Sequence, residues 1–500
     1  MMPMEMRELA QRNPWWKNKD LILEDRNLRK RKGSKVDWTP RIKYKFSLNE
    51  DAIYTVRGPR QVGKTTLVKI MIEELLSSTS DSQQVFFYAC DLVSNPKELA
   101  NILECYLQNA RKTLPKQRLY LFIDEVSSVK DWQKGIKHLW DMGLLENCSV
   151  ILTGSHSLDI RNASERLPGR RGSVKDVLDK ILLPMKFTEY VETRNPNLGY
   201  VIKNLNLLLK ERRIDTIMKL AHAQIPQELV RLDYYAEELK QLFHDYLLTG
   251  GIATAIDAYI SQKEIPSTVY DTYITAMLGD VTRWQKKETN MAQVVQRLIE
   301  SLSSPVSWQS ICKQTDLGSH HTVADYVEVL QSSFTVSAIY QLDRNKGAPV
   351  FEKDKKVYFE DPFIFHALRG WAFSLSPFES SVEYTENPVS CSKMVESVIC
   401  NHLIRLAFSM FPSSDYNYAN KVYYWKGALG KEVDFVLKLN GNYLPIEVKY
   451  QNDIGRSDLQ GLHSFIKGGQ CYRGIAITKN TLKVEEDLTL IPYYLFLMLI

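Results

Sequence analysis

The sequence predicts a multidomain α/β protein that opens on a parallel-sheet core and closes on a second, mixed α/β fold. Three observations carry this. Apolar runs at 52–56, 85–89, 119–123 and 150–152 each lead into a turn or a helical stretch. That alternation belongs to a parallel sheet covered by helices on both faces. A glycine-containing octapeptide, Gly58 to Thr65, lies between the first run and a helical stretch at 65–76. Near the other end, residues 431–439 and 443–450 alternate apolar and polar around the turn Asn440-Gly441-Asn442, and both carry acids.

A chain of 500 residues accommodates about two to four domains, each with its own core. Its hydrophobic share of 44% and charged share of 25% are those of a soluble globular protein. The net charge of +5 is slight for this length and permits a local basic surface without arguing for nucleic acid. The seven cysteines, Cys90, Cys105, Cys148, Cys312, Cys391, Cys400 and Cys471, are scattered and lack metal-ligand spacing. They read as buried thiols in a reducing compartment, the cytoplasm. Residues 1–12 are charged and lack the apolar centre of a signal peptide. The longest apolar run, 488–500, is broken by Pro492 and too short to span a bilayer. It is expected as a terminal strand or a core helix, with no membrane partner.

Residues 1–47 form a basic arm in which Trp15, Trp16 and Trp38 stand among lysines and arginines. It serves either as a strap packed on the core or as a surface laid along a phosphate backbone. The core is expected at 48–195. Beyond it apolar spacings of three and four replace strand patterns, so 196–285 is expected to be a helical lid. Helical stretches at 308–315 and 320–332 flank the turn Gly318-Ser319, and Val323, Val327 and Leu330 share one face of the second. The apolar run 334–342 would supply a wing, which makes 286–345 a winged-helix module. A linker region at 346–386 and a final α/β domain at 387–500 complete the chain.

The octapeptide Gly58-Pro59-Arg60-Gln61-Val62-Gly63-Lys64-Thr65 has the spacing of a phosphate-binding loop. With Thr66, it turns backbone N–H groups and a helix N-terminus toward nucleotide phosphates. Lys64 would reach the β- and γ-phosphates of ATP, and Thr65 would ligate Mg²⁺. The run at 119–123 ends in Asp124, a second Mg²⁺-shell residue, and Glu125, which would polarise the attacking water. The run at 150–152 ends in Thr153-Gly154-Ser155, where Thr153 or Ser155 would sense the γ-phosphate. Glycine-rich turns also occur for purely structural reasons, but the strand–loop–helix setting and the paired acids speak for a nucleotide.

In the final domain Glu447 and Lys449 are two apart on a strand and project from one face, with Asp434 on the neighbouring strand. Two carboxylates hold a hard divalent cation, Mg²⁺ or Mn²⁺, and a lysine offsets charge on an attacked phosphate. Glu396 on the preceding helix adds a third acid. A Glu-x-Lys tripeptide alone arises by chance roughly twice in such a chain, and solvated cross-strand charges are the bland alternative. The ordered set of helix with Glu396, hairpin with Asp434, then Glu447 and Lys449, resembles the PD-(D/E)xK nuclease superfamily. It departs in having Val433 rather than proline before Asp434.

A wider resemblance runs through most of the chain. The loop at 57–66, Ile123-Asp124-Glu125, Leu152-Thr153-Gly154-Ser155 and Leu167-Pro168-Gly169-Arg170 occur in order, followed by Leu183-Pro184 and Phe187-Thr188-Glu189-Tyr190. With Asn13-Pro14-Trp15-Trp16, Tyr246-Leu247, Gly250-Gly251, Gly279-Asp280-Val281-Thr282-Arg283 and Tyr358-Phe359-Glu360-Asp361-Pro362, they resemble an archaeal and bacterial family of AAA-type ATPases. The resemblance implies a P-loop AAA-type core with helical lid, winged-helix module and C-terminal restriction-endonuclease-like domain. It also implies that Arg170 or Arg171 completes a neighbour's site in a homo-oligomer. The expected function is ATP-hydrolysing DNA processing. Its rival is a nucleotide-driven switch or scaffold whose nuclease-like domain only binds DNA or protein.

Overall fold

The computed structural model describes residues 6–154, 177–284, 286–410, 416–427, 430–486 and 488–500. The chain divides into two compact units, one reaching to Leu183 and the other made of Pro184–Pro412 and Tyr416–Ile500. In the first, β1 (Ala52–Arg57), β2 (Val85–Ala89), β3 (Leu119–Asp124), β4 (Cys148–Thr153) and β5 (Asp179–Ile181) form a sheet in the order β2-β3-β4-β1-β5. All four pairings are parallel. β1 and β4 are buried at every position, as required of strands covered on both faces. Helices Pro96–Thr113 and Trp132–Asp141 supply Leu99, Leu103, Trp132 and Ile136 to the core on one face. Helix Lys64–Ser78 supplies Leu67, Met71 and Ile72 to the other. The four apolar runs coincide with β1 to β4. β5 has no such run; the register of Thr55 with Asp179 and the hydrogen bond between their side chains hold it.

The basic arm is a strap. Trp15 and Trp16 both donate their indole N–H to the carbonyl of Val85, at 3.0 and 2.9 Å. The Asn13 amide accepts from Phe87 N at 2.7 Å and donates to Phe87 O at 3.2 Å. These bonds cap the outer edge of β2, the end strand of the sheet, which would otherwise present an unpaired ladder. Ile22 and Leu28 enter the same core as Trp15. Arg26, Arg29, Lys30, Lys32 and Lys35 remain on the exposed side.

The second unit begins with helices from Phe187–Arg194 to Ser267–Arg283, then Glu288–Glu300, Trp308–Lys313 and His320–Ser332. A hairpin of β6 (Val336–Asp343) and β7 (Ala348–Phe359) follows, then helices Pro362–Phe373, Pro377–Glu386 and Pro388–Met410. The last part contains β8 (Val422–Lys426), β9 (Glu432–Leu439), β10 (Asn442–Lys449), helix Gln460–Lys467, β11 (Gly474–Thr478), β12 (Lys483–Glu485), β13 (Leu488–Pro492) and helix Tyr493–Leu497. β8, β9 and β10 pair antiparallel, whereas β10 and β11 are parallel, which demands the intervening helix. Residues 488–500 are thus both a strand and a helix, the break falling at Pro492.

Two features differ from expectation. Residues 346–386, expected as a linker region, hold β7 and two helices. The hairpin also does not stand apart: β6 pairs in parallel with β8, so one sheet runs β12-β13-β11-β10-β9-β8-β6-β7. Pairing of β6 with β7 passes from Lys355 to Val350 within one step of β6, setting residues 351–354 out of register. The charged run 352–356 hides the strand from a reading that looks for apolar alternation.

Gly250 and Asp361 meet in this unit. Asp361 caps helix Pro362–Phe373 by accepting from Phe363 N at 2.9 Å, and its second oxygen accepts from Gly251 N at 2.7 Å. Gly250 has φ of +55°, and a Cβ there would lie 1.8 Å from Asp361 Oδ1. Gly250→Ala should therefore cost about 2–4 kcal/mol of stability, from strain plus a displaced cap. Gly441→Ala, at φ of +84° but in open space, should cost only about 1 kcal/mol. Chemical denaturation of both variants checks the contrast; equal losses would contradict it.

Candidate functional site

Strand order dictates the first site. β4 lies between β1 and β3, and Val56 pairs with Thr153 while Ile123 pairs with Leu152. The loop after β1, the end of β4 and the end of β3 therefore share the carboxyl edge of the sheet, where open α/β sheets bind ligands. Gly58 and Gly63 have φ of +155° and +98°, and Gln61 adopts +61°. A Cβ on Gly58 would strike Leu182 O at 2.0 Å, so the backbone tolerates only glycine there. Helix Lys64–Ser78 starts directly behind this turn, with its N-terminal amides facing the loop.

The side chains named from the sequence converge here. Lys64 Nζ is buried and donates to Gly58 O and Pro59 O, both at 2.9 Å. Thr65 Oγ1 donates to Asp124 Oδ2 at 2.7 Å, and Thr153 Oγ1 donates to Asp124 Oδ1. Thr153 Oγ1 also accepts from Glu125 N at 3.2 Å. Glu125 is half-buried in the left-handed region at φ of +50°, a backbone state that a non-glycine residue holds only where its surroundings enforce it. Burial raises the Asp124 carboxyl above its usual range and outweighs the hydrogen bonds from Thr153 and Thr65. A carboxylate and a hydroxyl in contact at the head of this loop fit Mg²⁺ accompanying nucleotide phosphates. Ser155, Arg170 and Arg171 lie outside the described residues.

The second cluster is in the C-terminal half. β9 and β10 bring Asp434 beside Glu447: Val448 N donates to Asp434 Oδ2 at 3.0 Å, and Asp434 N to Glu447 Oε2 at 3.3 Å. Lys449 Nζ pairs with Glu447 Oε1 at 2.8 Å. Glu396, on helix Pro388–Met410, accepts from the Tyr358 hydroxyl at 2.6 Å. All four residues named from the sequence are thus gathered.

Sequence reasoning missed what joins them. Lys356 of β7, its side chain 1% exposed, places Nζ 2.7 Å from Glu432 Oε1, 3.0 Å from Asp434 Oδ1 and 3.5 Å from Glu396 Oε1. Burial works against the Lys356 charge, yet Asp434, Glu396 and Glu432 outweigh it and hold the ammonium well above its ordinary range. Asp434 is opposed by burial but lowered by Lys356 and Lys449. Burial and then Asp434 push Glu396 up to about 7 and Glu447 up to about 8. Among the described residues no three His, Cys, Asp or Glu side chains converge as a metal-holding group. As arranged, these carboxylates fit an ammonium ion and not a divalent metal. The signal for Glu432 was present, since it is two residues before Asp434 on one strand face. Lys356 had none, because it arrives from a distant strand.

Comparison with known proteins separates the two sites. Residues 50–191 match the AAA domain family, while residues 240–374 and 392–496 match two domain families of unknown function. The chain is similar to an uncharacterized protein of Methanocaldococcus jannaschii, 22% identical over 310 residues, covering 60% of this chain and 57% of that protein. It thus spans little more than half the length of that relative. It is also similar to an uncharacterized protein of Haemophilus influenzae, 20% identical over 413 residues, covering 80% of this chain and 83% of that protein. The solved Walker-type ATPase of Pyrococcus abyssi aligns at 12% identity and a TM-score of 0.36, covering 64% of this chain and 91% of its own. The family match at 50–191 and the loop between β1 and its helix define an AAA-type P-loop ATPase core. It is an ATP-binding and ATP-hydrolysing domain. No helix among the described residues is long and apolar enough to cross a membrane.

The raised carboxyls of the second cluster leave a mark on stability. Folded Glu447 keeps its proton from its ordinary 4.5 up to about 8, whereas the unfolded chain releases it. The folded state then binds more protons, so this contribution is complete below 4.5 and lost as pH rises toward 8. Glu447→Gln should flatten the fall of stability between pH 5 and 8, measured by denaturant unfolding across about that range. An unchanged slope in the variant would contradict the assignment.

Proposed function

We propose that the protein couples ATP hydrolysis in its AAA-type core to DNA processing by a C-terminal half containing a winged-helix module and a nuclease-like domain. The observation that carries the ATPase part is the convergence of Lys64, Thr65, Asp124, Glu125 and Thr153 on one sheet edge. In this reading Lys64 leaves the carbonyls of Gly58 and Pro59 to meet the β- and γ-phosphates. Thr65 and Asp124 hold Mg²⁺, which neutralises phosphate charge when bound. Glu125 orients and polarises water, and Thr153, already bonded to both Asp124 and the Glu125 amide, ties the two acids to the end of β4. Ser155 and an arginine at 170 or 171 are assigned to γ-phosphate sensing and to the site of a neighbouring copy.

Several observations support the DNA reading. Helices Glu288–Glu300, Trp308–Lys313 and His320–Ser332, the Val306–Lys355 bridge and the β6–β7 hairpin occur in winged-helix order. Helix Pro388–Met410, β8, β9, β10, helix Gln460–Lys467 and β11 follow the α-β-β-β-α-β order of the nuclease superfamily. The exposed basic face at Arg26, Arg29, Lys30, Lys32 and Lys35 offers phosphate contacts. Helix His320–Ser332 offers less, since its exposed residues include Asp325 and Glu328. One observation favours the rival reading, in which the nuclease-like domain binds without cutting: the Lys356 ammonium sits among its carboxylates.

Lys64→Ala should weaken nucleotide binding, because it removes the cation that meets the β- and γ-phosphates. Glu125→Gln should bind ATP as wild type does while turnover falls by about 100-fold or more. Fluorescent-nucleotide titration and phosphate release separate the two. Wild-type turnover in Glu125→Gln would remove Glu125 as the base. Linear or branched DNA should raise wild-type ATP turnover and bind less tightly as salt increases. DNA that neither binds nor stimulates would leave the ATPase with a protein partner.

A further inference from the structure

The three acids expected to hold a metal already have donors. Asp434 Oδ1 takes Lys356 Nζ and its Oδ2 takes Val448 N. Glu447 Oε1 takes Lys449 Nζ and its Oε2 takes Asp434 N. Glu396 Oε1 takes Tyr358 Oη and, more distantly, Lys356 Nζ. Lys356 and Tyr358 are two apart on β7, so one face of one strand supplies both the ammonium and the hydroxyl. Neither residue belongs to β8, β9 or β10, which carry Glu432, Asp434 and Glu447.

A buried ammonium needs carboxylates, and buried carboxylates need a cation. Either a divalent ion or Lys356 meets the second requirement, but hardly both. Metal–oxygen distances are about 2.0–2.6 Å, so an ion on Asp434 Oδ1 would share the space within about 5 Å of Lys356 Nζ, inside the same low-dielectric pocket. We propose that Lys356 is a built-in counter-cation that occupies the electrostatic centre of the nuclease-like site and excludes divalent metal while β7 stays in the sheet. The site is latent: the strand that pairs with the β6 arm of the hairpin also plugs the carboxylates, and cutting requires Lys356 to leave.

This inference rests on reading residues 387–500 as nuclease-like, and the test separates its failure from failure of that reading. Mn²⁺ binding is measured by electron paramagnetic resonance on the full chain without nucleotide. Wild type and Asp434→Asn should bind alike, because the carboxylates take no ion in either. Lys356→Met should gain one Mn²⁺ at least 10-fold tighter than any wild-type site. Lys356→Met/Asp434→Asn should lose it, and Mn²⁺ should raise the thermal midpoint of Lys356→Met alone. If wild type binds an ion that Asp434→Asn lacks, the plug is overturned while the metal site stands. If folded Lys356→Met gains no ion, the carboxylates are not a metal site, and inference and nuclease-like reading fall together. Should Lys356→Met not fold even with Mn²⁺, Lys356→Gln, which removes the charge but keeps a polar side chain, takes its place with the same expected and contrary results.

Discussion

The first unit depends on the insertion of β4 between β1 and β3. Parallel strands end on one edge, so this order puts Thr153 between the phosphate-binding loop and the acids of β3. With β1 directly beside β3, the Asp124 carboxylate would have no hydroxyl from an intervening strand to hold it. The hydrogen bonds to Thr65 and Thr153 fix both of its oxygens. Glu125 is held in a left-handed conformation by the same strand end. Preorganisation of this kind means little reorganisation is needed when phosphate charge arrives. The strap contributes indirectly, by closing the β2 edge so that the sheet ends in bonded carbonyls at Val85 and Phe87.

A different constraint governs the carboxylates of the second unit. An ionised lysine at 1% exposure is retained only if its charge is matched. Lys356 is matched by Glu432 and Asp434 at hydrogen-bond distance, with Glu396 further off. Burial first, and then the negative charge of Asp434, raises the carboxyls of Glu396 and Glu447. The cluster is therefore complete without an added ion, yet carries unrelieved repulsion that a dication would relieve if the ammonium withdrew.

Legibility in the sequence followed the range of the interactions. β1 to β4 were readable because a strand buried on both faces is written as a continuous apolar run. The loop from Gly58 to Thr65 was readable because its backbone demands glycine at fixed positions. Asp434, Glu447 and Lys449 were readable as a set, since a period of two and a short hairpin place them together. β5 was not, because Asp179 and Lys180 are polar, and the strand exists by pairing with β1. β7 was not, because residues 352–356 are charged and the inward role of Lys356 depends on Asp434 and Glu432, far along the chain. The Gly250-Gly251 and Glu360-Asp361-Pro362 segments were legible as motifs but not as a contact. The structure joins them through Asp361, a buried cap whose carboxyl burial raises to about 7.

Both sites make the same demand of a divalent ion, and the geometry answers differently at each. Thr65 with Asp124 offers a hydroxyl and a carboxylate, whereas Glu396, Glu432 and Asp434 surround the Lys356 ammonium and Glu447 pairs with Lys449. Anomalous scattering from crystals grown with Mn²⁺ and a non-hydrolysable ATP analogue distinguishes them in one measurement. A manganese peak is expected beside Thr65 and Asp124, and none among Glu396, Asp434 and Glu447. A peak bridging Asp434 and Glu447, with Lys356 still in place, would contradict this expectation.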